Sequence, residues 1–455
     1  MFNSVDKCAY ILRDILDRSN YIMIIKQLRG VYDAENPWYN YDEMKNLIIK
    51  INPPNRIIFD LFYLGLEVEY ESLIQSITFN EINILMSSGI IEKNGDKVKT
   101  NGVVILTYQG LYITTEINSW YKNCKNKLTD TYIGPDSLYL AENIKFDKDA
   151  IVLDLCSGTG IQGMIAAKSA KKVISIEINP KAVNICRLNI FLNKLDKIIE
   201  LRKGNLYNCL NSNEKFDYIY ANPPFIPMAK YIEYPICGDG GEDGTVILKK
   251  ITEGLNEYLK DNGEAIIFCE CLGNDNNPLF NEYLKKLNNN EILAIYRNRI
   301  TTGSQIYRVS KLLKLYDDAF NEDNFKSYMK KIYNELNCNF LYSVIYKIKK
   351  SDKTSFDILS FIHPWTPNSK AISNNIKVKS DNRKFKVEVD DLVVGCVDNE
   401  AKKFIELLNK GKTIQESAEI MFDEYGTKYE SVDNLENELL LNAFKLETLG
   451  IIRRL

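Results

Sequence analysis

The chain has 455 residues, a net charge of −3, 45% hydrophobic and 26% charged residues. At roughly 100–200 residues per domain, this is two to four domains of a globular protein, neither disordered nor fibrous. The acidic balance argues against a dedicated duplex-binding protein. No apolar run reaches the roughly 20 residues of a membrane span, and the opening MFNSVDKCAY has no signal-peptide core, so a cytoplasmic protein is expected.

The first part, residues 1–135, opens with helix-like segments such as CAYILRDILDRS. An amphipathic helix over 79–88 ends at Gly89, and short β-type runs follow, broken by Asn94-Gly95 and Asn101-Gly102. A helix and then such a hairpin predicts a helical, winged-helix-like N-terminal domain. Over 136–350 the rhythm changes to alternating strand and helix (AIVLDL, KVISIE, IIELRK, FDYIYA, GEAIIFCE, EILAIYR), which predicts a doubly wound α/β sheet. A helical insertion at 310–337 precedes a final edge strand, NFLYSVIYKIK. Residues 351–383 read as a polar linker, and 384–455 as a small α+β, winged-helix-like C-terminal domain.

Ten cysteines are scattered without a CxxC pair, so reduced and mostly buried thiols are expected. The one histidine, His363, lies in SFIHPWTP and reads as structural. A zinc site or a Ser-His-Asp triad needs more than this sequence supplies, so chemistry without histidine and without a metal is expected.

In AIVLDLCSGTGIQG, a strand runs into Gly158-Thr159-Gly160 and a helix begins near Ile161. Glycine lets the backbone turn tightly and a ligand lie against it. The second strand, KVISIE, ends in Glu177, whose carboxylate suits two ribose hydroxyls. Gly158, Gly160 and Gly163 also satisfy the dinucleotide fingerprint GxGxxG. Asp154, with Leu155-Cys156-Ser157 before the first glycine, fits a ligand carrying an ammonium group and repels a pyrophosphate. That favours S-adenosylmethionine over a dinucleotide.

At the end of the fourth strand stands Asn222-Pro223-Pro224-Phe225. Two prolines remove two backbone donors and leave carbonyls free to accept. With the Asn222 side-chain oxygen they make an acceptor pair for an –NH2 group, stabilising the charge that develops as its nitrogen is alkylated. Phe225 offers a face for a planar acceptor or a nascent ammonium. The acidic GDGGEDG (Gly238 to Gly244) reads as a substrate lid able to dock a cation.

Together DLCSGTG, the Glu177 strand end, GNLY, NPPF and GDGGEDG resemble a Rossmann-like, seven-stranded class I S-adenosylmethionine methyltransferase domain of the "small-domain" amino-methyltransferase group. That group includes release-factor glutamine, rRNA guanine-N2 and adenine-N6 DNA methyltransferases. The resemblance covers the middle of the chain. It implies that the loop Asp154, Cys156, Gly158, Thr159 and Gly160 lines the cofactor, with Glu177 on the ribose and Ile178 flanking the adenine. It places Asn205 and Leu206 at the adenine edge and Tyr132, in YIGPDS, over the cofactor, with Asn222, Pro223 and Phe225 at the reacting centre. The group more often has Asp where this chain has Asn205.

The expected activity is therefore methyl transfer to an amide or amine nitrogen of a peptide, protein or small natural product. An RNA or DNA amino-methyltransferase and a non-catalytic cofactor-binding regulator stand as alternatives.

Overall fold

A computed structural model describes residues 5–29, 41–51, 55–117, 129–362, 367–373, 376–381, 384–389, 392–425, 428–429, 431–448 and 451–455. His363 and Cys124 lie outside the described residues.

The central sheet has eight strands: β1 (Ile151–Leu155), β2 (Lys172–Glu177), β3 (Ile199–Lys203), β4 (Phe216–Ala221), β5 (Leu259–Gly273), β6 (Asn290–Thr301), β7 (Phe340–Lys350) and β8 (Ser355–Ser360). Their spatial order is β8-β6-β7-β5-β4-β1-β2-β3. Strands β1 to β5 are all parallel. β7 runs antiparallel to both its neighbours, β5 and β6.

The chain reverses its winding direction between β1 and β4, so the carboxyl ends of these two strands flank the crevice where open α/β sheets bind ligands. The strands are apolar because both faces are covered. Val152 and Val173 point into one core, and Leu153, Leu155, Ile174 and Ile176 into the other.

Two expectations are corrected here. β7, read as a final edge strand, is internal, lying between β6 and β5, and seven of its eleven residues are buried. The sheet has an eighth strand, β8, from the stretch read as a linker. It pairs parallel to β6 and is largely exposed, so its sequence lacks the apolar signature of an inner strand.

The N-terminal residues carry a helix (Asn55–Phe62), a short strand (Val68–Glu69), two helices (Tyr70–Leu73 and Phe79–Ser87) and a hairpin (Ile91–Asn94 with Lys97–Thr100). Val68–Glu69 pairs with the inner hairpin strand. The Phe79–Ser87 helix starts in a capping box between Thr78 and Glu81. A second hairpin, Val103–Tyr108 with Leu111–Glu116, follows. Cys8, Leu12, Phe59, Leu106 and Ile113 share one apolar core with Val152, Met164, Leu188 and Phe268 of the sheet domain. This part is thus packed onto the central sheet rather than tethered beside it.

Between β6 and β7 lie two helices, Thr302–Tyr316 and Glu322–Glu335. The C-terminal part has its own core around Phe404, Met421 and Leu439. It docks on the first inserted helix, where Ser304 donates to the Asp433 carbonyl at 3.0 Å and Thr301 N–H to Asn437 at 3.3 Å.

Candidate active site

The glycine loop follows β1. Gly158 and Gly160 have φ of 53° and 84°, and Cys156 shares this left-handed region at 57°, where a side chain is costly. The two glycines serve different ends. A Cβ on Gly160 would sit 2.7 Å from Cys186 Sγ, so its smallness is needed for packing. A Cβ on Gly158 would meet nothing closer than 4.0 Å, so space beside the loop is open there. Thr159 is buried, and its carbonyl accepts from Asn189 at 2.9 Å.

Asp154 is 1% exposed. One of its oxygens accepts from Gly163 N–H at 3.1 Å and Ser175 Oγ at 3.2 Å. Burial pushes its pKa up to about 7, against the opposing pull of hydrogen bonds from Ser157, Ser175 and Gly163. Glu177 accepts from Gly158 N–H and Asn179 N–H, both at 2.8 Å, which ties the loop to the end of β2. Burial raises its carboxyl as well, opposed by those two backbone donors. Gly204 N–H donates to the Glu177 carbonyl at 3.0 Å, so Asn205 and Leu206 start their turn beside it. Ile178 is exposed. Burial raises the thiols of Cys156 and Cys186, which keeps both protonated.

At the end of β4, Pro223 and Pro224 are buried and Phe225 is half-buried. Phe225 meets Phe268 of β5 edge to face at 5.7 Å, and Phe268 lies 6.3 Å from Tyr139. Asn222 donates through Nδ2 to Asp136 at 2.7 Å, and Asp136 accepts from the Tyr132 hydroxyl at 2.6 Å. Asn222 Oδ1 is buried and has no hydrogen-bond partner. Such an orphaned acceptor is uncommon in a folded protein and calls for an explanation.

GDGGEDG is not a free lid. Ile226 N–H donates to the Gly238 carbonyl at 2.8 Å, Gly240 N–H to the Ile226 carbonyl at 3.0 Å and Met228 N–H to the Gly241 carbonyl at 2.9 Å. A Cβ on Gly244 would lie 2.5 Å from the Phe225 carbonyl oxygen, so glycine is what lets the two loops touch. Two of its three acids are ion-paired, Glu242 with Lys230 at 2.6 Å and Asp243 with Lys249 at 3.0 Å; Glu242 also accepts from the Tyr328 hydroxyl, and Asp239 accepts from Gly241 N–H at 2.9 Å. The loop braces the turn that follows β4.

The structure thus brings together Asp154, Cys156, Gly158, Thr159, Gly160, Glu177, Asn205 and Leu206 around the ends of β1 to β3. It joins Asn222 to Tyr132, with Pro223 and Phe225 beside them at the end of β4. Asp136, Gly134 and Asn189 escaped the sequence reading. Asp136 sits in the quoted YIGPDS, but an acid in the first turn of a helix reads as a charge on the helix dipole. The arrangement as a whole has the strand order of a class I methyltransferase domain, with the glycine loop and the NPPF turn at the carboxyl ends of β1 and β4.

Residues 129–271 match the family model of the methyltransferase small domain. The chain is similar to a putative protein N5-glutamine methyltransferase of Methanocaldococcus jannaschii, 35% identical over 135 residues, which cover 28% of this chain and 66% of that protein. It is also similar to the release factor glutamine methyltransferase of Borreliella burgdorferi, 36% identical over 126 residues, 26% of this chain and 43% of that one. The match thus spans two thirds or less of either relative. Among solved structures, the tRNA m1G37 methyltransferase of M. jannaschii aligns at 14% identity and a TM-score of 0.32, covering 56% of this chain and 61% of that one, too distant to add to the strand order. Among the described residues no helix is long and apolar enough to cross a membrane.

Proposed function

We propose that the chain is an S-adenosylmethionine-dependent N-methyltransferase that acts on an amide nitrogen of a protein or peptide side chain. The observation that carries this reading is the orphaned Asn222 Oδ1 at the end of β4. Together with a Pro223 or Pro224 carbonyl it is an acceptor set for an –NH2 group. The similarity to proteins named as glutamine methyltransferases supports an amide as that group.

The cradle fits the cofactor: Gly158 leaves open space, Glu177 stands at the end of β2, and Ile178 is exposed beside it. Gly158 and Gly160 would admit the methionine part, Glu177 the ribose, and Ile178, Asn205 and Leu206 the adenine. Asp154, turned inward, would brace the loop from beneath, and a bound ammonium above it would favour its ionised form. When bound, S-adenosylmethionine supplies an electrophilic methyl group.

An amide nitrogen is a poor nucleophile because its lone pair is delocalised. Hydrogen bonds accepted by Asn222 and a proline carbonyl favour its pyramidal form and stabilise the charge it acquires. Phe225 flanks the planar group, and the braced turn keeps it in line, where orientation alone removes several kcal/mol of barrier. The cytoplasm is the expected setting.

Incubation with methyl-labelled cofactor and a host lysate tests the reading. Label removed by protease and resistant to nuclease is the expected result, and nuclease-sensitive label would overturn the protein acceptor. Asn222→Ala is expected to lower turnover by roughly tenfold or more while leaving the calorimetric affinity for S-adenosylhomocysteine unchanged.

A further inference from the structure

We propose that Asp136 is the positioning residue of the acceptor site, setting which end of the Asn222 amide faces the methyl acceptor. The inference rests on the amide reading above. An asparagine amide has a donor end and an acceptor end of nearly the same shape, and only the oxygen end can accept from an –NH2 group. A carboxylate accepts and does not donate, so Asp136 can bind the NH2 end alone. It does so through Oδ2 at 2.7 Å, with Ser137 Oγ at 3.4 Å from the same Nδ2. The orientation therefore follows from chemistry, and Oδ1 is left as the buried acceptor.

Two further features show that this contact is built into the fold. Asp136 is 8% exposed, and its second oxygen accepts from the Tyr132 hydroxyl at 2.6 Å, which keeps the carboxylate from swinging away. The chain passes between these two residues as Gly134, where a Cβ would sit 2.5 Å from both Asp136 Oδ1 and the Tyr132 oxygen. Gly134 has φ −129°, which any residue adopts, so its glycine provides room for that hydrogen bond rather than conformational freedom. Tyr132, Gly134, Asp136 and Asn222 thus form one unit that holds a single amide.

Asp136→Asn keeps the size and allows the Asn222 amide to turn over. With the acetylated dipeptide amide of glutamine and glycine as probe, the expected result is a fall in kcat of roughly tenfold or more. The affinity for S-adenosylhomocysteine should change less than twofold. Asp136→Asn added to Asn222→Ala should cost nothing further, because both act through one amide. Gly134→Ala, which leaves the carboxylate in place, should lower kcat in the same direction.

A readout independent of the acceptor is the Asn222 side-chain amide in 15N-asparagine-labelled protein, identified as the pair missing from Asn222→Ala. Its protons should exchange slowly in the native chain and fast in Asp136→Asn. If the native chain methylates the probe and Asp136→Asn does so at the same rate, or if the two losses add, the positioning role is wrong and the amide reading stands. If the native chain methylates nothing, the amide reading is wrong, and slow or fast exchange at Asn222 alone then upholds or overturns the Asp136 contact.

Discussion

A carboxylate beneath a glycine loop is held by two opposing forces, and Asp154 shows which wins. It is 1% exposed, and burial outweighs its hydrogen bonds to leave a pKa of about 7. An unfolded aspartate ionises near pH 3.8. Between those values the folded chain keeps a proton that the unfolded chain has lost. Stability from this site is complete below pH 3.8 and drains away as pH rises through 7, by a few kcal/mol at most. Asp154→Asn should flatten that slope, so that chemical denaturation at pH 5 and pH 8 gives a smaller difference than in the native chain; an unchanged slope would clear Asp154. Asp154, Glu177 and the NPPF turn were legible in the sequence because each lies at a strand end with its own local signature. Asp136 was not, since its meaning depends on a partner eighty-six positions away.

At the scale of elements, the helix Pro180–Leu192 does more than cover the sheet. Asn189 and Asn193, one turn apart, each take both the N–H and the carbonyl of a residue in strand Leu111–Glu116: Thr114 at 2.7 and 2.9 Å, Tyr112 at 2.9 and 2.7 Å. Side-chain amides here do what a neighbouring strand does in a ladder. Asn189→Ala would leave two buried backbone groups of Thr114 and the carbonyl of Thr159 unpaired. A loss of at least about 2 kcal/mol is expected in chemical denaturation, since each such group costs about 1–3 kcal/mol. A loss below 0.5 kcal/mol would mean that water replaces the amide. The strand–helix alternation was readable from β1 to β6 because inner strands announce themselves by apolar runs. The place of β7 was not, because a strand buried on both faces carries no mark of its neighbours. β8 hid for the opposite reason, its exposed residues reading as a linker.

Over the whole molecule, the flanking segments are fastened to the sheet domain in different ways. The N-terminal part merges into one of its cores. The C-terminal part meets the start of helix Thr302–Tyr316, where Asn437 accepts from Thr301 N–H and donates to Ser304. Asn437→Ala is expected to cost about 1 kcal/mol, the net worth of a partly exposed hydrogen-bond pair, with S-adenosylhomocysteine affinity unaltered. A loss of affinity would show that this junction reaches the ligand loop. Neither attachment could be read from sequence, because neither an apolar nor a polar residue carries a local mark of the distant element it docks on.

The Asn189 amide has a consequence that reaches further. One nitrogen touches both the Thr114 carbonyl, in the N-terminal hairpin, and the Thr159 carbonyl, between the loop glycines. Coupling through such a shared atom is reciprocal. Whatever stiffens the glycine loop must slow solvent hydrogen exchange at Thr114, and whatever frays the hairpin must slacken the grip of the loop by the same factor. A fragment cut at residue 136 would therefore be expected to bind more weakly, for want of a strand that reaches the loop only through this amide.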